Sequence, residues 1–280
     1  LNPFPAGGGT DAFARPLAAQ LTEQLGKQII IDNRGGAGGT VGASVAAKAA
    51  PDGYTWFIGA SHHTIAPSMY KTLDYDIQKS FIPVALLASV PQVLVVNPGR
   101  VSARNLKDFI ALMKKNPGKY NFASAGSGTV HHLAGELFKI QTGTFIVHIP
   151  YRGAGPAMSD LLAGQVDLEF DGLGTSAPQI NAGKLVAIAV AADKRNPAIP
   201  NVPTFAEAGL PDYKVSTWYA MFAPAGTPKP IIDKMTAEVQ KALNTPKLKA
   251  IWTSNGAETP NLYGPAFGQL VAADVNRWAE

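Results

Sequence analysis

The sequence of 280 residues contains no cysteine. This absence excludes disulfide bonds, thiolate metal sites and cysteine nucleophiles, and it is compatible with an oxidising compartment. No apolar run approaches the roughly 18 residues that span a bilayer. The first residues lack the regions of a secretory signal, so we expect any such signal to have been removed. Only 16% of residues are charged, and no basic run occurs, so nucleic acid is not an expected partner.

The motifs of common enzyme classes are missing as well. We find no G-x-S-x-G nucleophile elbow, no H-E-x-x-H metal motif and no Gly-Lys-Ser/Thr of a phosphate-binding P-loop. The five histidines are His62, His63, His131, His132 and His148. Adjacent histidines point in different directions, which is poor geometry for chelation, so we predict no metal site. We interpret His132 as a packing or loop-orienting residue.

Strand and helix patterns alternate along the chain, which predicts an α/β fold with a parallel sheet covered by helices. The first unit has helical spacing over 14–25 and about 40–50, with strands at 28–32, 54–60, 82–89 and 92–98. The second has helices at 105–115, 130–141 and 156–162, and strands at 120–124, 145–150, 165–170 and 185–190. A strand at 215–224 and helices at 228–243, 246–254 and 263–278 follow.

Two glycine-rich turns stand directly before predicted helices, one at residues 7–11 and one at residues 124–129. Such a turn exposes backbone N–H groups at the positive end of the helix dipole, which suits an anion. The second turn adds serine and threonine hydroxyls that could satisfy both oxygens of a carboxylate. Taken alone, each turn is equally explained by a tight connection or by N-capping. Together they favour a small carboxylate in a cleft between two lobes.

A dinucleotide site is the alternative interpretation of the first turn. Residues 7–12 satisfy G-x-G-x-x-A, and Asp32 ends the next strand where a ribose-binding acid belongs. Against it, Pro3 and Pro5 flank the strand end, the second turn does not match the motif, and no hydride-transfer constellation is evident. An NAD-linked enzyme therefore stays an alternative, and a hydrolase or isomerase acting in the same cleft is a third.

An ordered series of segments runs along the whole chain: PFPAGGGTD, NRGGAGGTVGA, APDGYT, DIQKSFIPVALL, SAGSGTVHHLAGELFK, PYRGAGPAMSDLLAGQVD, IPNVPTFAEAG and APAGTP. In this order they resemble the Bug (TctC) family, the extracytoplasmic solute receptors of tripartite tricarboxylate transporters. The resemblance implies an α/β, two-lobed periplasmic-binding-protein fold of the Venus flytrap, type II kind, with the ligand cleft between two α/β domains. The expected lobes are 1–99 plus 221–280 and 100–220, with the chain crossing near 98–102 and 215–222.

The resemblance also implies a function without turnover. A periplasmic, monomeric receptor would capture a dicarboxylate, an aromatic acid or an amino acid, use no cofactor, and deliver the solute to the membrane components of the transporter. Because the solute engages donors on both lobes only when they approach, it would shift an open–closed equilibrium toward the closed form.

Carried over residue by residue, the resemblance places ligand contacts on both lobes. In the first lobe these are Phe4, Ala6, Gly7, Gly8 and Ser61. In the second lobe these are Ser127, Gly128, Thr129 and Asp171. His62 and His63 follow Ser61 where the variable end of the ligand would lie, so we expect both to contribute to specificity rather than to the common anion seat. A carboxylate facing an anion is repulsive, so we expect Asp171 to orient a loop or to act through water.

Overall fold

The computed structural model describes residues 1–279. Within these residues the chain forms ten α-helices, one 3₁₀ turn at Ala37–Gly39 and seven β-strands. The helices are α1 (Gly9–Leu25), α2 (Thr40–Ala47), α3 (His62–Met69), α4 (Leu106–Lys115), α5 (Val130–Thr142), α6 (Ala154–Leu162), α7 (Leu173–Asn181), α8 (Lys229–Leu243), α9 (Pro246–Ser254) and α10 (Gly264–Ala279). The strands are β1 (Phe57–Ala60), β2 (Phe81–Val96), β3 (Asn121–Ser124), β4 (Val147–Pro150), β5 (Leu168–Gly172), β6 (Val186–Val190) and β7 (Ser216–Pro224).

Strand β2 joins two sheets. Residues 81–91 pair antiparallel with β7, which pairs in turn with β1. Residues 92–96 pair with β5 and β6, and β5 continues through β3 to β4. Pro91 stands where the partner changes, because proline has no N–H to donate to a continuing ladder. The prediction of two strands, 82–89 and 92–98, is therefore wrong, since both belong to one strand.

The two sheets define two lobes. The pairing of β2 and β7 favours a change of lobe at Pro91–Gln92 and again at Val215–Ser216, where the Gln92 N–H donates to the Val215 carbonyl. We propose these points as the boundaries, and the division at 99 and 221 stays a prediction. Helices α1–α3 and α8–α10 then accompany the first sheet, and α4–α7 the second.

Strands β1, β2 and β7 are largely buried on both faces, which explains why their sequences are nearly continuous apolar runs. In β7, Tyr219, Met221 and Ala223 face the core beneath α1, α8 and α9. The alternate residues Trp218, Ala220 and Phe222 face an aromatic core beneath α10. The second half of β2 alternates in the same way between two cores of the second lobe. Strand periodicity of two thus fixes which side chains point toward each helix layer.

Three local expectations are wrong. Residues 28–32 form no ladder, and Ile30 is 75% exposed. The one bridge nearby joins Asn2 to Asn33, just beyond this segment. The first sheet pairs antiparallel, not parallel. Helices α3 and α7 are not predicted, since Pro67 and Pro178 lie inside them and proline is typical of a helix end.

Candidate functional site

The first glycine turn leads into α1. Gly7 has φ of +86°, a conformation that glycine adopts without strain. Its N–H donates to Asp11 Oδ2 at 3.0 Å, so this amide is used to close the turn. A Cβ on Gly9 would overlap the Tyr219 hydroxyl, so only glycine lets the helix begin so close to β7. The glycines of this turn are therefore needed for its backbone conformation and for the close approach of α1 to β7, in addition to any contact with a ligand.

Asp11 fixes the turn as a polar hub. It accepts hydrogen bonds from the side chains of Asn2, Asn33 and Arg15. Burial opposes its ionisation, but the hydrogen bonds from Arg15, Gly7 and Asn33 outweigh burial and lower the pKa of Asp11. An ionised Asp11 therefore holds the N-terminus of α1 in place at neutral pH.

The second lobe contacts this turn directly. Gly155 lies against it, and a Cβ there would stand 2.6 Å from the Ala6 carbonyl oxygen and 3.3 Å from the Gly8 nitrogen. Ala154 is also adjacent to Gly8. The start of α6 thus packs on the glycine turn, and the two lobes are closed on each other.

Between the lobes lies a small cavity. Its lining residues are Phe4, Gly8, Gly9, Thr10, His62, Ala125, His131, Ala154 and Tyr219. The free space is about that of one water molecule. A solute larger than water can therefore enter only if the lobes separate.

The first turns of four helices wall this cavity. Gly9 and Thr10 begin α1, His62 begins α3, His131 is the second residue of α5, and Ala154 begins α6. An N-terminal turn has N–H groups without intrahelical acceptors and carries the positive end of the helix dipole, equivalent to about half an elementary charge. The arrangement favours an anion although no lysine or arginine is among the lining residues.

Thr10 supplies a side-chain donor to this cavity. It is 2% exposed, and its Oγ1 has no hydrogen-bond partner within residues 1–279. A buried hydroxyl without a partner costs free energy, which a ligand oxygen or a water can recover. Thr10 was not among the residues expected at the site.

His62 joins the lobes. Its Nδ1 accepts the backbone N–H of Val130 at 3.1 Å, which requires a lone pair on Nδ1 and places the ring proton on Nε2. The ring meets Phe4 edge to face, with centroids 5.5 Å apart. Burial, together with His131 and His63, lowers the pKa of His62 well below its ordinary value. His62 is therefore neutral and can donate from Nε2.

His131 faces two carboxylates. Its Nδ1 lies 3.3 Å from Glu169 Oε1 and 3.6 Å from Asp171 Oδ1. Glu169 and Asp171 are two residues apart on β5, so they share one face of the strand. The atoms of these three side chains that could bind a metal lie within 4.8 Å of one another, and the hydrogen bond between His131 Nδ1 and Glu169 Oε1 accounts for this proximity. That the protein binds no metal stays a prediction.

The charges in this cluster depend on one another. Burial disfavours the imidazolium, but the hydrogen bond to Glu169 and the charges of Asp171 and Glu169 outweigh it and raise the pKa of His131. Burial and Asp171 raise the pKa of Glu169 to about 8. Burial also raises the pKa of Asp171, although the charge of His131 and the hydroxyl donors on Ser176 and Thr175 oppose it. These two hydroxyls lie near the start of α7, so Asp171 ties that helix to the end of β5.

The second glycine turn uses most of its predicted donors internally. The Gly128 N–H donates to His132 Nδ1 at 3.2 Å, and the Thr129 hydroxyl donates to the Gly126 carbonyl at 2.7 Å. Ser127 is exposed, and its carbonyl accepts the Tyr70 hydroxyl at 3.1 Å from the other lobe. The turn therefore contributes Ala125 and the start of α5 to the cavity, and Ser127 lies outside it.

The ten expected residues divide into four groups, of which Ser127 and Gly128, in the second glycine turn, are not among the lining residues. Phe4, Gly8 and His62 line the cavity, and Ala6 and Gly7 adjoin it. Ser61, Thr129 and Asp171 are buried behind it, with Ser61 Oγ 2.8 Å from Thr217 Oγ1. Sequence reasoning missed Thr10, Ala125, His131, Ala154 and Tyr219. The position of His131 just inside a helix that follows a glycine turn was the one available signal.

Three arginines that could have added a charge to the cleft lie elsewhere. Arg15 pairs with Asp11 at the margin of a separate open groove on the other side of the glycine turn. Arg34 pairs with the half-exposed Asp32, and Arg152 is exposed. The Asp32 carboxylate is therefore engaged by Arg34.

Comparison with known proteins places the chain in a family. The model of the tripartite tricarboxylate transporter family receptor, TctC, matches residues 13–280. The structure of the periplasmic binding protein BugD is 39% identical, covers 99% of this chain and 93% of its own, and superposes with a TM-score of 0.95. MatC from Rhodopseudomonas palustris, solved with bound malate, is 36% identical over 99% of this chain and 95% of its own, with a TM-score of 0.92. Rpa4515 of R. palustris, solved with adipate, is 35% identical over 98% and 92%, with a TM-score of 0.94.

These similarities confirm the predicted α/β periplasmic-binding-protein fold. They also exclude the NAD-linked alternative, because the family consists of solute-binding receptors and not of enzymes. Within residues 1–279, no helix has both the length and the apolar character of a membrane span. The chain belongs to the Bug (TctC) family of solute-binding receptors of tripartite tricarboxylate transporters.

Proposed function

We propose that this protein is a periplasmic receptor that captures a small dicarboxylate between its lobes and delivers it to the membrane components of a tripartite transporter. The observation that carries the proposal is the meeting of four helix N-termini around one cavity, two from each lobe. Hydrogen bonds to a charged group contribute about 1.5–3 kcal/mol each, so neutral donors suffice to hold a carboxylate. The related proteins solved with malate and with adipate support this class of solute.

Binding requires the lobes to move. The free space in the closed cavity is about that of one water molecule, so the lobes must open to admit a solute. Opening breaks two hydrogen bonds between the lobes, one from the Val130 N–H to His62 and one from the Tyr70 hydroxyl to the Ser127 carbonyl. A solute that accepts from donors on both sides recovers these contacts only in the closed form. Its differential affinity then shifts the equilibrium toward closure.

A thermal-shift screen tests this function. Malate, adipate, benzoate, aspartate and NAD are each added to the protein at several concentrations. An acid present at about 100 times its Kd should stabilise the fold by about 2.7 kcal/mol. We expect a dicarboxylate to give the largest shift and NAD to give none. Stabilisation by NAD alone, or by no acid, would contradict the proposal.

A second experiment locates the site. Thr10→Val keeps the side-chain shape and removes the unpartnered hydroxyl, while Ser127→Ala changes an exposed residue of the second turn. We expect T10V to weaken binding of the stabilising acid and S127A to leave the Kd unchanged. Equal effects of the two variants would mean that the anion lies at the second turn instead.

A further inference from the structure

The cavity lacks an obvious cation. Among its lining residues only His62, His131 and Tyr219 carry titratable side chains. His62 is excluded as a cation, because its Nδ1 accepts a hydrogen bond from Val130. Burial raises the pKa of Tyr219, which keeps its hydroxyl neutral. His131 is the one lining side chain that remains to carry a positive charge.

The geometry of His131 fits this role. Its Nδ1 lies 3.3 Å from Glu169 Oε1, within hydrogen-bond distance, and 3.6 Å from Asp171 Oδ1, so with both acids ionised this nitrogen carries the proton. Within residues 1–279, Nε2 has no hydrogen-bond partner, and the ring lines the cavity. A second proton on Nε2 makes the ring a cation whose free N–H is available to a solute. The two acids stabilise that cation from behind.

The charge of the cluster depends on Glu169. Glu169 and Asp171 are fully buried, and Glu169 Oε2 and Asp171 Oδ1 have no partner among the described residues. With both acids ionised and His131 charged, the cluster carries one net negative charge, which opposes an incoming anion. With Glu169 protonated the cluster is neutral, and the His131 cation faces the solute unopposed. An anion in the cavity therefore binds more tightly to the form that holds one more proton.

Other titratable groups around the cluster do not supply this proton. His62 on α3 has its ring centroid 6.0 Å from that of His131 and is neutral. Tyr151 precedes α6 and Tyr219 lies on β7, and in both the pKa is raised, chiefly by burial. The neighbours on α7 are the hydroxyls of Thr175 and Ser176, which donate to Asp171. Proton uptake thus falls on Glu169 and His131, which titrate as a pair.

Resting on the proposed function, we propose that His131 is the charged contact for a solute carboxylate and that Glu169 is a positioning residue through which one proton is taken up with the solute. The solute class is then an anion bound together with a proton. Because burial and Asp171 raise the pKa of Glu169 to about 8, uptake is small near pH 6.5 and approaches one proton near pH 9. The Kd therefore rises by up to about tenfold per pH unit above pH 8.

Isothermal titration with malate and with adipate from pH 6.5 to 9.5, with EDTA present, tests the proposal. Repeating each titration in two buffers of different ionisation enthalpy counts the protons taken up. Glu169→Gln keeps an acceptor for Nδ1 and removes the ionisation. We expect wild type to lose affinity above pH 8 and Glu169→Gln to show a nearly flat Kd with no uptake. His131→Gln should bind more than tenfold more weakly at pH 7.

Glu136→Gln is the matched control. Glu136 lies on α5 outside the cavity and pairs with Lys139 at 2.8 Å, and we expect its variant to follow the wild-type pH profile. A purely structural role of Glu169 would lower stability and leave the pH slope of the Kd unchanged. An unchanged slope in Glu169→Gln, or wild-type binding without proton uptake at pH 9, would overturn the proposal.

A ligand-free measurement separates this proposal from the proposed function. Nitrogen chemical shifts of the His131 ring report its charge whether or not either acid binds. We expect both ring nitrogens to be protonated at pH 7 in wild type, and the pKa of His131 to fall in Glu169→Gln. A neutral His131 at pH 7 would overturn the proposal by itself. Failure of both acids to bind, with a charged His131, would count against the solute class alone.

Discussion

Replacing Glu169 by glutamine should protect the folded protein against alkaline pH. The side chain is fully buried, and burial with the neighbouring Asp171 raises its pKa from 4.5 to about 8. The folded chain then keeps a proton that the unfolded chain loses above pH 4.5. The free energy of unfolding therefore falls as pH rises from about 4.5 to 8, and it stays lower above pH 8. Glutamine cannot ionise, so it removes this loss.

The size of the effect follows from the same interval. Each pH unit between 4.5 and about 8 is equivalent to about 1.4 kcal/mol, which gives an upper bound of about 5 kcal/mol. Because Glu169 titrates as a pair with His131, we expect roughly half of this bound at pH 9. At pH 5 the glutamate is protonated, and the two side chains should differ by less than about 1 kcal/mol.

Urea denaturation at pH 5 and pH 9 measures both values. Wild type, Glu169→Gln and the control Glu136→Gln are compared without ligand. For each protein, the free energy of unfolding at pH 9 is subtracted from that at pH 5. We expect Glu169→Gln to be more stable than wild type at pH 9 only. A variant that is destabilised equally at both pH values would refute a protonated, buried Glu169.

Three further predictions concern the turn and the histidines. Thr10→Val should raise the Kd of the bound acid about tenfold or more, from the loss of one hydrogen bond to a charged group, as calorimetry would reveal. Gly9→Ala should lower the melting temperature and weaken binding, because its Cβ overlaps the Tyr219 hydroxyl; wild-type behaviour would place the start of α1 farther from β7. His63 should stay neutral in the folded chain down to about pH 4, because burial lowers its pKa to about 4. Stability from this group is present above about pH 6.5 and is lost as pH falls toward 4, and an NMR titration midpoint near 6.5 would contradict this.

Most of the helices could be predicted from the sequence because their signals are local. An apolar helical pattern that follows a turn indicates a helix, and α4, α5 and α8 to α10 are found within one residue of their expected bounds. Helix α1 begins at Gly9, five residues before its expected start, so the third glycine of the first turn belongs to the helix. The unpredicted α3 and α7 are short and contain Pro67 and Pro178. The local proline signals were outweighed there by tertiary packing, of α3 against α10 and of α7 against β2 and α1.

The chemistry of the cavity depends on contacts that are distant in sequence. His131 and Glu169 meet because β5 ends beneath the first turn of α5, which no spacing along the chain reveals. Ser127 has the expected hydroxyl in the expected motif, but the turn directs it to solvent. Thr10 lies in the glycine-rich segment PFPAGGGTD. Its hydroxyl has no hydrogen-bond partner among the described residues, and only the positions of all neighbouring acceptors in the fold reveal this.

A crystal structure of the protein with the dicarboxylate selected by the thermal-shift screen tests the central claim most directly. We predict one carboxylate within hydrogen-bond distance of the first-turn amides of α1 and of Thr10 Oγ1, with His131 Nε2 donating to a carboxylate oxygen. A solute bound in the separate open groove beside Arg15, or at Ser127, would contradict the assignment of the interlobe cavity as the binding site.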